Sequence, residues 1–143
     1  MSEHPDDVAT RSAAAMWQSD QASQALGIEI TQVSPGRAVA RLTLTPTMVN
    51  GHRIAHGGYI FLLADTAFAF ACNTYGQVTV ARGAEITFVA PAYEGDELEA
   101  VAAERHRAGR NGIYDVTVRR RGSGEVVAEF RGHSRQLAVR PAD

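Results

Sequence analysis

Apolar and polar residues alternate in the first third of the chain, at the period of a β-strand. The apolar positions of this run are Ala38, Ala40, Leu42 and Leu44. Such alternation is typical of a strand with one buried face. The turn-forming sequence Ser-Pro-Gly at 34–36 precedes it, so we predict a β-hairpin over about residues 28–44.

Between Gly57 and Tyr75 the apolar residues change to the period of an α-helix. They are Ile60, Leu63, Ala64, Ala67, Phe68 and Ala71. This spacing defines one helix face, and its small alanines would let a sheet approach closely. The other side is also apolar, with Phe61, Leu62 and Phe70, so we expect a central helix that is buried nearly all round.

Four further alternating runs follow, at about 78–89, 96–106, 112–121 and 125–137. Short glycine-containing turns separate them, and such turns join antiparallel neighbours. We therefore predict a four-stranded meander within an α+β fold, whose curved antiparallel sheet wraps around the long central helix. Residues 5 to about 24 predict an extra N-terminal helix that docks through Met16 and Trp17, and residues 45–55 predict an ordered loop.

The composition indicates one domain without a strong global charge. The chain has 143 residues, 45% of them hydrophobic, and a formal net charge of -2. We expect a single domain over 1–143, with a helical arm at 1–24, a core at 25–137 and a tail at 138–143. This charge gives no field that would attract nucleic acid or an anionic membrane. The acidic start and the single cysteine, Cys72, predict a cytoplasmic protein.

A glycine pair, Gly57-Gly58, stands where the central helix should begin. Backbone N–H groups at a helix start have no partner within the helix, and the helix dipole favours negative charge there. The Gly57 amide could therefore polarise a substrate carbonyl that comes close to it. The alternative is that the pair only makes a tight turn into the helix.

Asp65 is the one residue that breaks the apolar pattern of this helix. Burying a carboxylate is costly, which favours a functional use of the group. The alternative is a core acid that caps a turn or pairs with an arginine, and the adjacent Thr66 is expected to bond its own helix backbone. Eight residues of helix separate Gly57 from Asp65 by about 12 Å, so a shared site would need two antiparallel copies of the helix and hence a dimer.

The loop before the helix carries Asn50, His52 and His56. The two histidines lack a further ligand nearby, so we expect no metal site. His56 is favoured as a residue that fixes the loop by hydrogen bonding, and catalysis is the alternative. Asn50 either positions a water or a substrate carbonyl group, or it is a turn residue before Gly51. Neither a nucleophilic serine motif nor a nucleotide-binding glycine loop is present.

Several arginines surround the turn near Gly109: they are Arg105, Arg107 and Arg110, with Asn111 adjacent and Arg82 on another predicted strand. Guanidinium groups suit the phosphate groups of a ligand. The alternative is an ordinary solvated hairpin tip.

The ordered combination Asn50-Gly51-His52, His56-Gly57-Gly58 and Asp65 resembles the signature of hotdog-fold thioesterases of the phenylacetic-acid-degradation (PaaI) type. The segments 112–116 and 130–134 also resemble the final strands of that family. The resemblance implies a hotdog dimer, usually paired into a homotetramer as a dimer of dimers. It further implies hydrolysis of acyl-CoA, with phenylacetyl-CoA or a hydroxylated arylacetyl-CoA as the expected substrate.

By this resemblance Asp65 is the general base or nucleophile, the Gly57 amide polarises the carbonyl, and Asn50 and His56 support the site. We assign Gly58, Thr66, Arg82, Arg107, Arg110 and Asn111 to substrate binding. No cofactor is expected, because coenzyme A is part of the substrate. The alternatives are a hotdog enoyl-CoA hydratase or dehydratase, which should carry a histidine aimed at the β-carbon, and a non-catalytic acyl-CoA sensor, which needs no Asp65.

Overall fold

The computed structural model describes residues 3–138. Its helices are α1 (Pro5–Ser19), α2 (Gln21–Leu26) and α3 (Gly57–Cys72), with a short 3-10 helix at Pro46–Met48. Its strands are β1 (Glu29–Ser34), β2 (Arg37–Thr43), β3 (Thr79–Phe88), β4 (Glu97–Ala108), β5 (Asn111–Arg120) and β6 (Val126–Gln136). The predicted hairpin, central helix and four later strands are all present.

The six strands form one antiparallel sheet with the order β1-β2-β4-β5-β6-β3. The predicted four-stranded meander is therefore wrong, because only β4, β5 and β6 follow one another in space. Strand β3 pairs with β6, and β4 pairs with β2. The segment between β3 and β4 is a crossover, in which the Val89 N–H donates to Val127 O over 2.8 Å and Ala92 O accepts from the Ala55 N–H.

Helix α3 lies against the concave face of the sheet, where small residues permit close contact. Ala100 and Ala102 on β4 are fully buried. A Cβ atom built on Gly132 of β6 would lie 2.7 Å from the ring of Phe68. The predicted buried face of the helix is thus confirmed. Its packing depends on the small alanine side chains of β4 and on the absence of a side chain at Gly132.

The expectation that α3 is buried nearly all round is wrong along one strip. Phe61, Leu62, Asp65 and Ala69 are only partly buried, although Phe70 is inside the core. These positions recur at the spacing of one helix face. The helix therefore presents a half-open, mostly apolar strip that contains its one acid.

The N-terminal arm contains two helices where the sequence predicted one. Asp20 ends α1 and begins α2, because its Oδ1 accepts from the Ser23 N–H over 3.0 Å. Such side-chain capping is a standard start signal for a helix. Met16 and Trp17 pack against the core as expected, with the Trp17 and Phe70 ring centroids 6.4 Å apart.

The division into a single domain with arm, core and tail stays a prediction, and residues 139–143 of the tail lie outside the described part of the chain. Between residues 3 and 138 no helix combines the length and apolar character needed to cross a membrane.

We predict that Gly132→Ala lowers the free energy of unfolding by about 1–3 kcal/mol, because the added methyl overpacks the contact with Phe68. Gly122→Ala is the matched control, since a Cβ atom there meets nothing within 4 Å. Urea unfolding of both variants measures the difference. Equal stability of the two variants would show that the helix does not rest on this glycine.

Candidate active site

The loop that leads into α3 is held in shape by Asn50. Its Oδ1 accepts from the N–H groups of His52, at 2.9 Å, and Ile54, at 3.2 Å. The His56 N–H donates to Met48 O over 2.8 Å, which ties the loop back to the 3-10 helix. Of the two roles considered for Asn50, these bonds are those of a turn residue. They fix where the helix starts.

His56 caps the start of α3. Its Nδ1 accepts from the Gly58 N–H over 3.0 Å, and its carbonyl oxygen accepts from the Tyr59 N–H over 3.0 Å. This is the hydrogen-bonding role that the sequence favoured for His56. Within residues 3–138 the Gly57 N–H has no acceptor. One free donor thus remains at the positive end of the helix dipole.

Gly57 is also required by packing. A Cβ atom at this position would lie 2.8 Å from the phenyl ring of Phe88, at the end of β3. A Cβ atom on Gly58 would lie 3.1 Å from His56 Nδ1. The glycine pair therefore admits both the ring and the capping histidine, and Gly57 itself stays only partly buried.

Asp65 lies on the half-open strip of α3, two turns after the glycine pair. In the part of the chain that the structure describes, its carboxylate has neither a hydrogen-bond donor nor a salt-bridge partner. Burial raises the pKa of the Asp65 carboxyl above its ordinary value. The alternative of an acid paired with an arginine therefore finds no support, and the group is available for chemistry as a stronger base than a solvated aspartate.

The six residues assigned to substrate binding do not form one cluster in a single chain. Thr66 is buried, and its hydroxyl lies 3.2 Å from Ser23 Oγ of α2, a docking contact between helices in place of the expected bond to its own backbone. Gly58 belongs to the helix start. The others lie at the far end of the sheet.

Arg107, Arg110 and Asn111 line one cleft, and Arg82 and Asn111 line another. The guanidinium carbon of Arg107 lies 3.6 Å from the ring centroid of Tyr75. Its Nε is 3.8 Å from Glu104 Oε1. Neither cleft is lined by Asp65 or Gly57. The binding roles of these residues stay predictions.

The sequence analysis missed a polar cluster around Glu104. The hydroxyls of Tyr75 and Tyr114 donate to Glu104 Oε1 over 2.7 and 3.1 Å. Burial raises the pKa of both tyrosines. A signal was available, because Glu104 continues the period-2 series of Ala100 and Ala102 that faces the helix, where a carboxylate is unexpected. The cluster joins the turn after α3 to β4 and β5.

Residues 52–127 match the family model described as the thioesterase superfamily. The chain belongs to this superfamily. The matched segment contains the helix start, Asp65 and most of the sheet. In residues 3–138 no group of three or more His, Cys, Asp or Glu residues is placed to hold a metal ion.

Similar proteins support this membership of the thioesterase superfamily. Acyl-coenzyme A thioesterase PaaI of Escherichia coli (strain K12) is 43% identical over 129 residues, which cover 90% of this chain and 91% of the relative. The solved structure of the E. coli PaaI protein from the phenylacetic acid degradation operon gives a TM-score of 0.92 at 41% identity, and covers 94% of this chain and 97% of that chain.

The crystal structure of the TT0310 protein from Thermus thermophilus gives a TM-score of 0.76 at 36% identity. It covers 80% of this chain and 96% of that chain. The hotdog architecture and the PaaI-type resemblance inferred from the sequence are confirmed.

We predict that Asp65→Asn raises the thermal unfolding midpoint at pH 7. A group whose pKa is raised on folding binds its proton more tightly in the folded state, so the charged form destabilises the fold as pH rises through the folded pKa. The neutral amide removes this effect. The two proteins should converge in stability as the pH falls to where aspartates in an unfolded chain are protonated. Calorimetric unfolding across this pH range measures the difference, and a variant less stable than the parent at pH 7 would contradict it.

Proposed function

We propose that this protein hydrolyses acyl-CoA thioesters at two equivalent sites of a homodimer, each formed by Asp65 of one subunit and the Gly57 amide of the other. The observation that carries the proposal is the half-buried Asp65 carboxylate, which lacks a partner within residues 3–138 and lies on an otherwise apolar strip. A thioesterase superfamily domain with an unused base and an unused amide donor has the two groups that thioester hydrolysis requires.

The dimer follows from the geometry of α3. Gly57 and Asp65 are about 12 Å apart along one helix, which is too far for both to act on one carbonyl. Two antiparallel copies related by a twofold axis would bring each Asp65 opposite the other Gly57. The half-open strip with Phe61 and Leu62 supplies an apolar surface for this contact.

The edge of the sheet supports the same arrangement. Strand β3 is the last strand of the sheet, and nearly all of its residues are exposed. Large apolar side chains are exposed at and beyond this strand: Val80 (42%), Phe88 (51%), Val89 (56%) and Tyr93 (44%). An unpaired edge with apolar side chains is a natural site for a second copy of the chain. Pairing of two such dimers into a tetramer remains part of the proposal.

In the proposed reaction, the Asp65 carboxylate removes a proton from water while the water oxygen attacks the thioester carbonyl carbon. The Gly57 N–H donates to the oxygen that becomes negative, and the collapse of this intermediate breaks the C–S bond and releases the CoA thiolate. The raised pKa of Asp65 makes it a better base. Direct attack by Asp65, which gives an acyl anhydride that water then cleaves, uses the same groups.

His56 and Asn50 act as positioning residues in this proposal. Asn50 sets the loop, and His56 Nδ1 takes the Gly58 N–H. This leaves the Gly57 N–H as the free donor. The hydratase alternative would need a histidine aimed at the β-carbon of the substrate, whereas His56 lies before α3 and caps its start.

We propose an aryl-substituted acetyl-CoA, such as phenylacetyl-CoA or a hydroxylated relative, as the substrate. The E. coli relative is named an acyl-coenzyme A thioesterase, and its structure is described as coming from the phenylacetic acid degradation operon. In this chain the half-open strip carries Phe61, whose ring centroid lies 5.3 Å from that of Phe130. Such rings can form the wall of a pocket for an aromatic acyl group.

We predict that Asp65→Asn lowers kcat for phenylacetyl-CoA by at least about a hundredfold, the usual lower range for losing a general base. Thiol release from phenylacetyl-, short and long acyl-CoAs measures the rate. Asp115→Asn is the matched control, since Asp115 pairs with Arg131 on the other face of the sheet. Turnover by Asp65→Asn at the parent rate would contradict the proposal. Coenzyme A binding without turnover of any thioester by the parent would favour the sensor alternative.

We predict that two inactive variants restore activity to each other when mixed. In a hybrid of Gly57→Val with Asp65→Asn, one of the two sites has both an intact Asp65 and an intact Gly57. Random exchange of equal amounts should give about a quarter of the parent activity, because half of the dimers are hybrids with one working site. Mixed subunits are unfolded and refolded together, and each variant alone is the control. If the mixture of folded variants stays inactive, the site does not span two subunits.

A further inference from the structure

Two arginines on the outer face of the sheet converge on one neutral oxygen atom. Arg82 Nη1 donates to Asn111 Oδ1 over 3.0 Å, and Arg135 Nη1 donates to the same oxygen over 3.2 Å. The two nitrogens therefore lie within about 6 Å of each other. Two positive groups held this close repel each other, and an amide oxygen carries no charge to offset the repulsion.

Arg131 and His133, the neighbours of Arg135 along this face of β6, each lie beside an acid. Arg131 pairs with Asp115 at 2.7 Å, and His133 lies 3.4 Å from Glu85. Arg131, His133 and Arg135 alternate along β6, so their side chains share the outer face. Among residues 3–138, neither Arg135 nor Arg82 has a carboxylate within 4.0 Å. The charge surplus is thus local, in a chain whose formal net charge is -2.

The strands around these side chains carry two separate irregularities. The register of β3 with β6 shifts between Ala81 and Gly83, so Arg82 is the extra residue of a bulge. The register of β4 with β5 shifts between Glu104 and His106. Bulges redirect side chains at the edges of sheets. Asn111 stands directly opposite Arg135 in the register of β5 and β6.

A cleft of about 160 Å³ opens beside Arg82 and Asn111, which line it together with His106 and His133. Arg135 does not line the cleft itself, but its Nη1 lies 3.2 Å from Asn111 Oδ1 at the cleft wall. A liquid water molecule occupies about 30 Å³, so the cleft has room for one phosphate group and some water. Guanidinium groups bind phosphate oxygens through paired N–H donors. Asn111 holds the two arginines in place for such a ligand.

We infer that Arg82 and Arg135, aligned by Asn111, form a phosphate-binding site on the outer face of the sheet, and that its ligand is a phosphate of the nucleotide part of coenzyme A. The identity of this ligand rests on the proposed acyl-CoA function, whereas the site itself rests on the geometry. The site adds Arg135 to Arg82 and Asn111, which the sequence already assigned to substrate binding. It also separates them from Arg107, whose guanidinium stacks on Tyr75.

The site is tested by calorimetric titration with adenosine 3′,5′-bisphosphate, which carries the nucleotide phosphates of coenzyme A but no thioester. Arg82→Met and Arg135→Met should each weaken binding about tenfold or more, the effect of losing one charge-assisted hydrogen bond. Arg119→Met is the matched control, since Arg119 lies on β5 eight residues from Asn111. Among the described residues, its side chain donates a hydrogen bond only to Gly124 O. Thermal unfolding checks that each variant is folded.

Inorganic phosphate is titrated in parallel to separate the two sources of the ligand. Phosphate binding that both variants lose, without binding of the nucleotide, would support the site but overturn coenzyme A as its ligand. The inference as a whole is overturned if neither compound binds, or if all four proteins bind equally. These titrations do not depend on turnover, so they still report on the site if the proposed function fails.

Kinetics connect the site to the reaction. Both variants should raise KM for phenylacetyl-CoA about tenfold and leave kcat unchanged. The pantetheine thioester of the same acid lacks the nucleotide, so the parent and the variants should have the same KM for it. A raised KM for the pantetheine thioester as well would show that the arginines act on the fold or the acyl site, and would overturn the inference.

Discussion

Close packing of α3 on the sheet is the contact on which the rest of the structure depends. Alanines on both surfaces and Gly132 beneath Phe68 bring the helix down onto the concave face. Because one face of α3 packs against the sheet, the opposite strip must face outward. Asp65 lies on that strip, so its partial burial is a consequence of how the helix docks. Its raised pKa has the same origin.

The start of the same helix is set independently, by the loop before it. Asn50 shapes the loop, His56 caps the helix, and the Phe88 ring closes over Gly57. Each contact fixes the backbone at Gly57 and none of them uses its N–H. The position of the base in the middle of the helix is therefore set by the packing of α3 on the sheet. The position of the donor at the start of the helix is set by the loop before it. One chain alone cannot bring them to the same carbonyl.

Burial explains why much of the fold could be predicted from the sequence. The periods of Ala38–Leu44 and Ile60–Ala71 survive in the structure because one face of each element enters the core. Strand β3 was correctly delimited but wrongly placed, since local turn chemistry favours sequential neighbours. The crossover at 89–96 is fixed by distant contacts, such as that between Val89 and Val127.

The site residues show the same division. Asp65 and Gly57 could be selected because each departs from a local pattern, an acid in an apolar helix and a glycine pair at a helix start. Arg135 could not, because an arginine at an exposed position of an alternating strand fits the pattern perfectly. Its significance depends on bulges in other strands and on Asn111 opposite it. Strand β3 borders both places: Phe88 covers Gly57 at one end, and Arg82 reaches Asn111 at the other. A ligand that joined the two places would pass along the edge where we propose the second subunit, with its acyl group beside α3 and its phosphates outside the sheet.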